Sequence, residues 1–204
     1  MHNFFISSVV LFILSRTFSV ISQASTSFQD KLVTSAQKQI GVTCHYDPAY
    51  TKLSYPGGDV PMDRGVCTDV IIRVLRDFDI DLQQSINQHM KKNWKLYPKN
   101  WGLGKPDSNI DHRRVPNMST YFKALHFSLN PDPLKEAYLP GDVVIWDLGN
   151  GILHVGMVSN AIVPYQTRYK IIHNICCGVK EEDLLMSYKI ISHFRLSEKT
   201  LKNN

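Results

Sequence analysis

Apolar residues recur at every fourth position between residues 66 and 78 of this chain. They are Val66, Val70, Val74 and Phe78, with Ile71 and Leu75 beside them. A stripe with this spacing predicts an α-helix that buries one face. The segment Asp63-Arg64-Gly65 before it contains a glycine and predicts a loop. Cys67 is therefore expected in the first turn of this helix.

A second pattern, short β-branched segments between turn residues, fills the region from 139 to 174. Pro140-Gly141 and Gly149-Asn150-Gly151 mark the turns. The pattern predicts three consecutive antiparallel strands. Because side chains alternate along a strand, His154 should share a face with Gly156, and His173 should share a face with Ile171.

The remaining segments predict helices and loops that precede this sheet. Helices are expected over 27–40, 81–93 and 118–125, the last capped by Asn117. Segments 44–61 and 95–116 are expected to be loops, the second long enough to suggest a functional role. Helices followed by strands indicate an α+β domain in which N-terminal helices pack on an antiparallel sheet.

The start of a helix is a favourable position for a reactive cysteine. Unpaired N–H groups and the helix dipole stabilise a thiolate there, which predicts a lowered pKa for Cys67. The alternative is a buried structural cysteine. A nucleophile also needs a base and a group that orients the base, and His154 and His173 fit those roles. Asn174 is the other candidate for the third position, since neighbouring residues point to opposite faces of a strand.

The loop 95–116 and its surroundings supply the predicted substrate wall. Arginines there suit a substrate with free carboxylates. The predicted substrate-binding residues are Asp69, Asp111, His112, Arg113, Arg114 and Asn174. The alternative is that Arg113 and Arg114 pair with nearby aspartates and hold the loop in place.

Several long motifs in a fixed order resemble a bacterial family. The motifs are Tyr55-Pro56-Gly57-Gly58-Asp59-Val60-Pro61, Gly65-Val66-Cys67-Thr68-Asp69-Val70, Asp81-Leu82-Gln83, Ile110-Asp111-His112-Arg113-Arg114-Val115-Pro116-Asn117, Pro140-Gly141-Asp142-Val143-Val144, His154-Val155-Gly156, His173-Asn174-Ile175 and His193-Phe194-Arg195. Over residues 28–196 the chain resembles the domain of unknown function 1287 family, and more broadly the NlpC-type papain-like peptidases of bacterial cell walls. Cys176-Cys177 depart from the pattern, because small residues are expected at that place.

The resemblance implies a function that the residue patterns alone do not give. It implies a papain-like fold and hydrolysis of an amide bond in peptidoglycan, either in the stem peptide or at the lactyl amide. Cys67 would be the nucleophile, His154 the base and His173 the orienting residue. Acyl transfer to an amine would use the same residues. A non-catalytic envelope-binding or scaffold domain is the alternative of another class.

Composition and the N-terminus indicate a single exported domain. The chain has 204 residues, and its Lys and Arg residues outnumber Asp and Glu by 23 to 18. An apolar run before Arg16 predicts a signal peptide over 1–24, cleaved after Ala24, rather than a membrane anchor of ~20 apolar residues. Residues 25–204 then form one monomeric domain in the periplasm or outside the cell. No nucleic-acid stripe, phosphate loop or metal motif is present, so neither nucleic acid, a cofactor nor a metal is expected.

The four cysteines leave the disulfide pattern open. They are Cys44, Cys67, Cys176 and Cys177. An exported protein can hold disulfides, and adjacent cysteines rarely bond to each other. A bridge from Cys44 to Cys176 or Cys177 is one alternative, and four free thiols are the other.

Overall fold

The computed structural model describes residues 27–204 of the chain, and the predicted signal peptide lies outside this range. The five α-helices of these residues are Phe28–Gln37 (α1), Cys67–Arg76 (α2), Leu82–Lys92 (α3), Val115–Ala124 (α4) and Glu198–Lys202 (α5). The strands are His45–Tyr46 (β1), Arg64–Gly65 (β2), Ser128–Leu129 (β3), Val143–Asp147 (β4), Leu153–Ile162 (β5), Tyr169–Asn174 (β6), Val179–Glu182 (β7) and Lys189–Phe194 (β8). Two short 3₁₀ turns, Trp94–Leu96 and Asp111–Arg113, lie in the long loop.

The strands form one six-stranded sheet and one small pair. The six-stranded sheet has the order β3-β8-β4-β5-β6-β7, and all of its neighbours are antiparallel. The pair β1–β2 is parallel. The three consecutive antiparallel strands predicted from the sequence are β4, β5 and β6. The expected mixture of helices and an antiparallel sheet is confirmed.

The main core lies between the helices and one face of the sheet. Leu32 and Ala36 of α1, together with the apolar face of α2, pack against Val155, Met157 and Ile172. A smaller cluster covers the opposite face of the sheet and includes Val144, Trp146, Val158, Ile171, Leu184 and Leu185. Both faces of the central strands are therefore buried, which explains their nearly continuous apolar sequence. In residues 27–204, no helix combines the length and apolarity that crossing a membrane requires.

The start of α4 differs from its prediction. Asn117 was expected to cap a helix beginning at Met118, but the helix begins at Val115 and its N-cap is Arg114. Pro116 explains the difference, because proline fits the first turn of a helix, where its missing N–H has no helical partner. Asn117 instead donates its side-chain amide to the carbonyl of Asp111 at 3.1 Å.

Candidate functional site

The first turn of α2 is held in place by Asp69. Its Oδ2 accepts the backbone N–H of Val66 at 2.7 Å, which ties the residue before the helix to its third position. The same carboxylate accepts two donors of the Arg113 guanidinium, at 2.8 and 2.9 Å. Both side chains are almost fully buried. This ion pair therefore connects the helix start to the loop that precedes α4 and fixes the position of Cys67.

Cys67 is the first residue of α2, as predicted, but its electrostatics differ from the prediction. Burial raises the pKa of its thiol to about 11, although the backbone N–H groups of Val155, Thr68 and Cys67 itself face the sulfur and act to lower it. The helix start does stabilise a thiolate. Removal of the sulfur from water outweighs that effect. The expected lowered pKa is wrong, and the resting thiol is protonated.

The two predicted histidines meet in the sheet and form a chain with a carboxylate. Nε2 of His154 lies 3.0 Å from Nδ1 of His173, and Nε2 of His173 lies 3.1 Å from Oε1 of Glu182. Because a carboxylate only accepts, His173 carries its proton on Nε2 and accepts the Nε2–H of His154 on Nδ1. The chain therefore leaves Nδ1 of His154 unprotonated, which is the state a base requires.

Burial keeps the two histidines of this hydrogen-bonded chain neutral. Loss of hydration, with a contribution from His173, lowers the pKa of His154 to about 3. Burial also lowers the pKa of His173, although Glu182 acts in the opposite direction. Both rings are therefore neutral imidazoles, each with one ring proton, near pH 7.

Gly156 permits this contact between the two strands. The shared face of His154 and Gly156, and that of Ile171 and His173, are as predicted. A Cβ added at Gly156 would lie 2.7 Å from Cγ2 of Ile171 and 3.1 Å from Cβ of His173. Any larger residue would therefore move β6 away from β5 at the position where the histidines meet.

Cys67 approaches the backbone of β5 at Val155, beyond the part of β5 that pairs with β6. Pairing of these strands begins at Met157 and Ile172, so the first residues of β5 extend beyond it. The N–H of Val155, the residue after His154, faces the sulfur of Cys67. The side chain of Val155 joins the core with α2, whereas the ring of His154 stacks against Trp146 on the other side of the strand. Within residues 27–204, no hydrogen bond joins Cys67 to a histidine.

Cys67 also borders an open cleft. The cleft has a volume of about 360 Å³ and is lined mainly by the loop 97–116 and by residues near the helix start, among them Tyr46, Cys67, Trp101, Arg113, Arg114 and Leu153. The guanidinium of Arg114 lies 3.9 Å above the ring of Trp101. This stacked cation and the aromatic wall would accept a flat or sugar-bearing group with a carboxylate.

Four of the predicted substrate-binding residues are buried in the protein. Asp69, Asp111, His112 and Asn174 are all at most 3% exposed. Asp111 accepts the N–H of Asp107 and pairs with Arg114, and Asn174 donates to the carbonyl of Gly65. The hydrogen bonds of Asp69, Asp111 and Asn174 hold loops together, whereas Nδ1 of the buried His112 has no partner among residues 27–204. Contact of these four residues with a substrate stays a prediction.

Arg113 and Arg114 line the cleft, and both also pair with aspartates. Arg113 pairs with Asp69 and Arg114 with Asp111, as the alternative interpretation expected. Arg113 donates to further carbonyls at Asp47 and Ala49. Its donors are therefore used within the protein, whereas only one nitrogen of Arg114 makes a hydrogen bond in the described part of the chain. Arg114 is the better candidate for substrate contact.

Two residues of the site were missed. Glu182 is the last residue of β7, and Tyr46 is the last residue of the short strand β1. The pairing of His173 with Lys180 sets where Glu182 lies, and that register has no signal in the sequence. In residues 27–204, no group of three or more His, Cys, Asp or Glu side chains is placed to hold a metal ion.

Comparison with known proteins places the chain in a family. The profile described as "Domain of unknown function (DUF1287)" matches residues 33–196. The chain belongs to this family. It is also 47% identical over 177 residues to "Uncharacterized protein YijF" of Escherichia coli (strain K12), a match that covers 85% of this chain and 83% of that protein. No solved structure matches the DUF1287 chain.

Proposed function

We propose that this DUF1287 protein is an exported thiol hydrolase of the NlpC-type papain-like class. It cleaves an amide bond of peptidoglycan, in the stem peptide or at the lactyl amide, and works as a monomer in the periplasm or outside the cell. The observation that carries the proposal is the chain from Glu182 through His173 to His154. This chain leaves an unprotonated Nδ1 on a strand whose next N–H faces the thiol of Cys67.

The proposed reaction begins from a neutral thiol and a neutral imidazole. When the substrate carbonyl enters the cleft, the proton of Cys67 moves to Nδ1 of His154 and the sulfur attacks the carbonyl carbon. The N–H of Cys67 at the helix start donates to the oxyanion. His154 then gives its proton to the leaving amine, and water releases the acyl group from sulfur. His173 and Glu182 hold His154 in the required tautomer throughout.

The cleft suits a substrate of this class. Arg114 offers unused donors to a carboxylate, and Trp101 offers a face to a sugar or peptide plane. Amide bonds that lie close to free carboxylates are what peptidoglycan stem peptides present. The mild excess of basic residues in the chain also favours binding of a substrate that carries negative charge.

A substitution at the nucleophile tests the proposal. Cys67→Ser should lower the rate of cleavage of purified peptidoglycan fragments by at least ~10³-fold, because a hydroxyl is a much weaker nucleophile than a thiol. New amino groups and the masses of the products measure the reaction. Cys44→Ser is the matched control, since Cys44 is an exposed thiol that does not line the cleft, and it should keep full activity. A Cys67→Ser protein that retains most of the activity would disprove the mechanism.

One observation favours a second candidate, a non-catalytic envelope-binding domain. The thiol of Cys67 has a raised pKa, and no hydrogen bond connects it to His154 in residues 27–204. Such a domain would bind peptidoglycan fragments without changing their masses, and Cys67→Ser would bind them equally well. An acyltransferase would instead yield a product that joins the acyl group to an added amine.

A further inference from the structure

Cys176 and Cys177 form a pair of touching thiols on an exposed turn. They occupy the turn 175–178 between β6 and β7, and both side chains are exposed. The two sulfurs are in direct contact, 2.6 Å apart, which is closer than unbonded sulfurs normally lie. The neighbouring thiol of Cys177 raises the pKa of Cys176. Cys44 is also exposed, but its thiol donates to the carbonyl of Gly41 instead.

The C-terminal end of this turn is fixed against the segment that contains Cys44. Val179 donates its N–H to the carbonyl of Thr43 at 2.8 Å. Gly178 has a φ of +96° and lies so close to Cys44 that a Cβ there would be 2.7 Å from its Cα. Only glycine satisfies both conditions. The apex therefore projects from a base that is anchored at this end.

A disulfide between adjacent residues differs from an ordinary one. The Cα atoms across a trans peptide are about 3.8 Å apart, below the range of roughly 4.4–6.8 Å found for most disulfides. The resulting ring is strained, so such a bond is easily reduced and needs an excess of a disulfide oxidant to form. Exposed, strained disulfides are the labile ones, and they serve redox chemistry rather than structural support.

We propose that Cys176 and Cys177 are a reversible thiol–disulfide site whose partner is a disulfide oxidant. One thiolate of the pair attacks the oxidant disulfide and forms a mixed disulfide while one oxidant thiolate leaves. The second cysteine thiolate then attacks the mixed disulfide and releases the other oxidant thiol. Two S–H bonds are lost and one S–S bond forms in the protein. The oxidant disulfide is reduced to two thiols, which take up both protons.

Peptide mapping with oxidised glutathione as the oxidant tests this site. The purified protein is incubated with excess oxidised glutathione, blocked with iodoacetamide and digested with trypsin. Cleavage after Lys170 and Lys180 places both cysteines in the single peptide 171–180. This peptide should appear two hydrogens lighter than its reduced form and without added label. Subsequent dithiothreitol should restore two labelled thiols.

Three variants separate this pair from other pairings. Cys44→Ser should give the same lighter peptide as the unchanged protein, because Cys44 is not a member of the pair. Cys176→Ser and Cys177→Ser should abolish it and leave one cysteine that carries either glutathione or label. Loss of the lighter peptide in Cys44→Ser, or a cross-link between 171–180 and the peptide 39–52, would overturn the proposal in favour of a bridge to Cys44. Two labelled thiols after oxidation would also overturn it.

Discussion

At the scale of single residues, the protonation states of Cys67 and His154 decide how the thiol reacts. The pKa of the thiol is raised to about 11 and that of His154 is lowered to about 3, so neither group is charged at pH 7. In a papain-type site with a preformed thiolate–imidazolium pair, the pKa of the thiol would lie below that of the imidazole. In the proposed reaction, the proton of Cys67 therefore has to move during the attack rather than before it.

This order of pKa values predicts the pH dependence of alkylation. The thiolate fraction of Cys67 should rise about tenfold for each pH unit between 6 and 9, because all of this range lies below its pKa. Quantitative mass spectrometry of iodoacetamide-labelled Cys67 measures the rate, with Cys44 as an exposed reference thiol. A rate that is already at its plateau near pH 6 would show that the thiolate forms in the resting protein.

The orienting residue gives a second prediction at this scale. His173→Ala should lower peptidoglycan cleavage by ~10²- to 10⁴-fold, since His154 would lose the partner that fixes its tautomer. Asn174→Ala should have a smaller effect on the rate and act mainly on stability, because Asn174 holds Gly65 rather than His154. Circular dichroism verifies folding of both. The reverse ranking of the two rates would transfer the orienting role to Asn174.

The effect of Glu182 on the rate of peptidoglycan cleavage gives a further prediction, because Glu182 accepts a hydrogen bond from His173. Its side chain is 45% exposed, so water can replace part of its interaction with His173. Glu182→Gln should therefore cost less activity than His173→Ala.

At the scale of elements, the buried pair of Asp69 and Arg113 joins α2 to the loop before α4. Asp69→Asn should lower the free energy of unfolding by about 3–5 kcal/mol, because it leaves the guanidinium of Arg113 buried without a countercharge. Urea unfolding measures the loss. The double variant Asp69→Asn with Arg113→Met should recover part of it, since no unpaired charge remains. Equal stability of Asp69→Asn and the unchanged protein would show that the pair contributes nothing.

The elements themselves were largely predictable, and their contacts were not. The four-residue apolar spacing located α2, and β-branched segments between glycine turns located β4, β5 and β6. Alternation along these strands also placed His154 and His173 on matching faces. The side of the sheet that α2 covers depends on how distant segments dock, and the burial of Asp69, Asp111, His112 and Asn174 depends on partners far away in the chain. Local patterns carry neither kind of information.

At the scale of the whole molecule, buried neutral histidines should make the fold sensitive to acid. The pKa of His154 is lowered to about 3 and that of His112 to about 4, both chiefly by burial. In the unfolded chain both groups take up protons near pH 6.5. Their stability contribution is therefore complete above that pH, and it is lost as the pH falls toward the folded values, on the order of 3 kcal/mol for each.

Urea unfolding at pH 7 and pH 4 measures this sensitivity. The midpoint should fall markedly at pH 4, and His112→Asn should show a smaller difference between the two pH values because one of the two groups has been removed. A midpoint that is independent of pH in this window would contradict the burial of neutral rings. If His112→Asn keeps the full pH dependence of the unfolding midpoint, His112 does not contribute to that dependence.

The division of the site between the two ends of the chain has a consequence for synthesis of the protein. Cys67 lies on a helix made early, whereas His154, His173 and Glu182 lie on strands made late, after the exposed segment around Leu134. A nascent or truncated chain that stops before β5 has the thiol but none of the groups proposed to activate it. In the proposed mechanism such a chain would have no base to take the proton of Cys67 and would not attack amide bonds inside the cell that makes it. The proposed activity would therefore arise only after the last strands have joined the sheet.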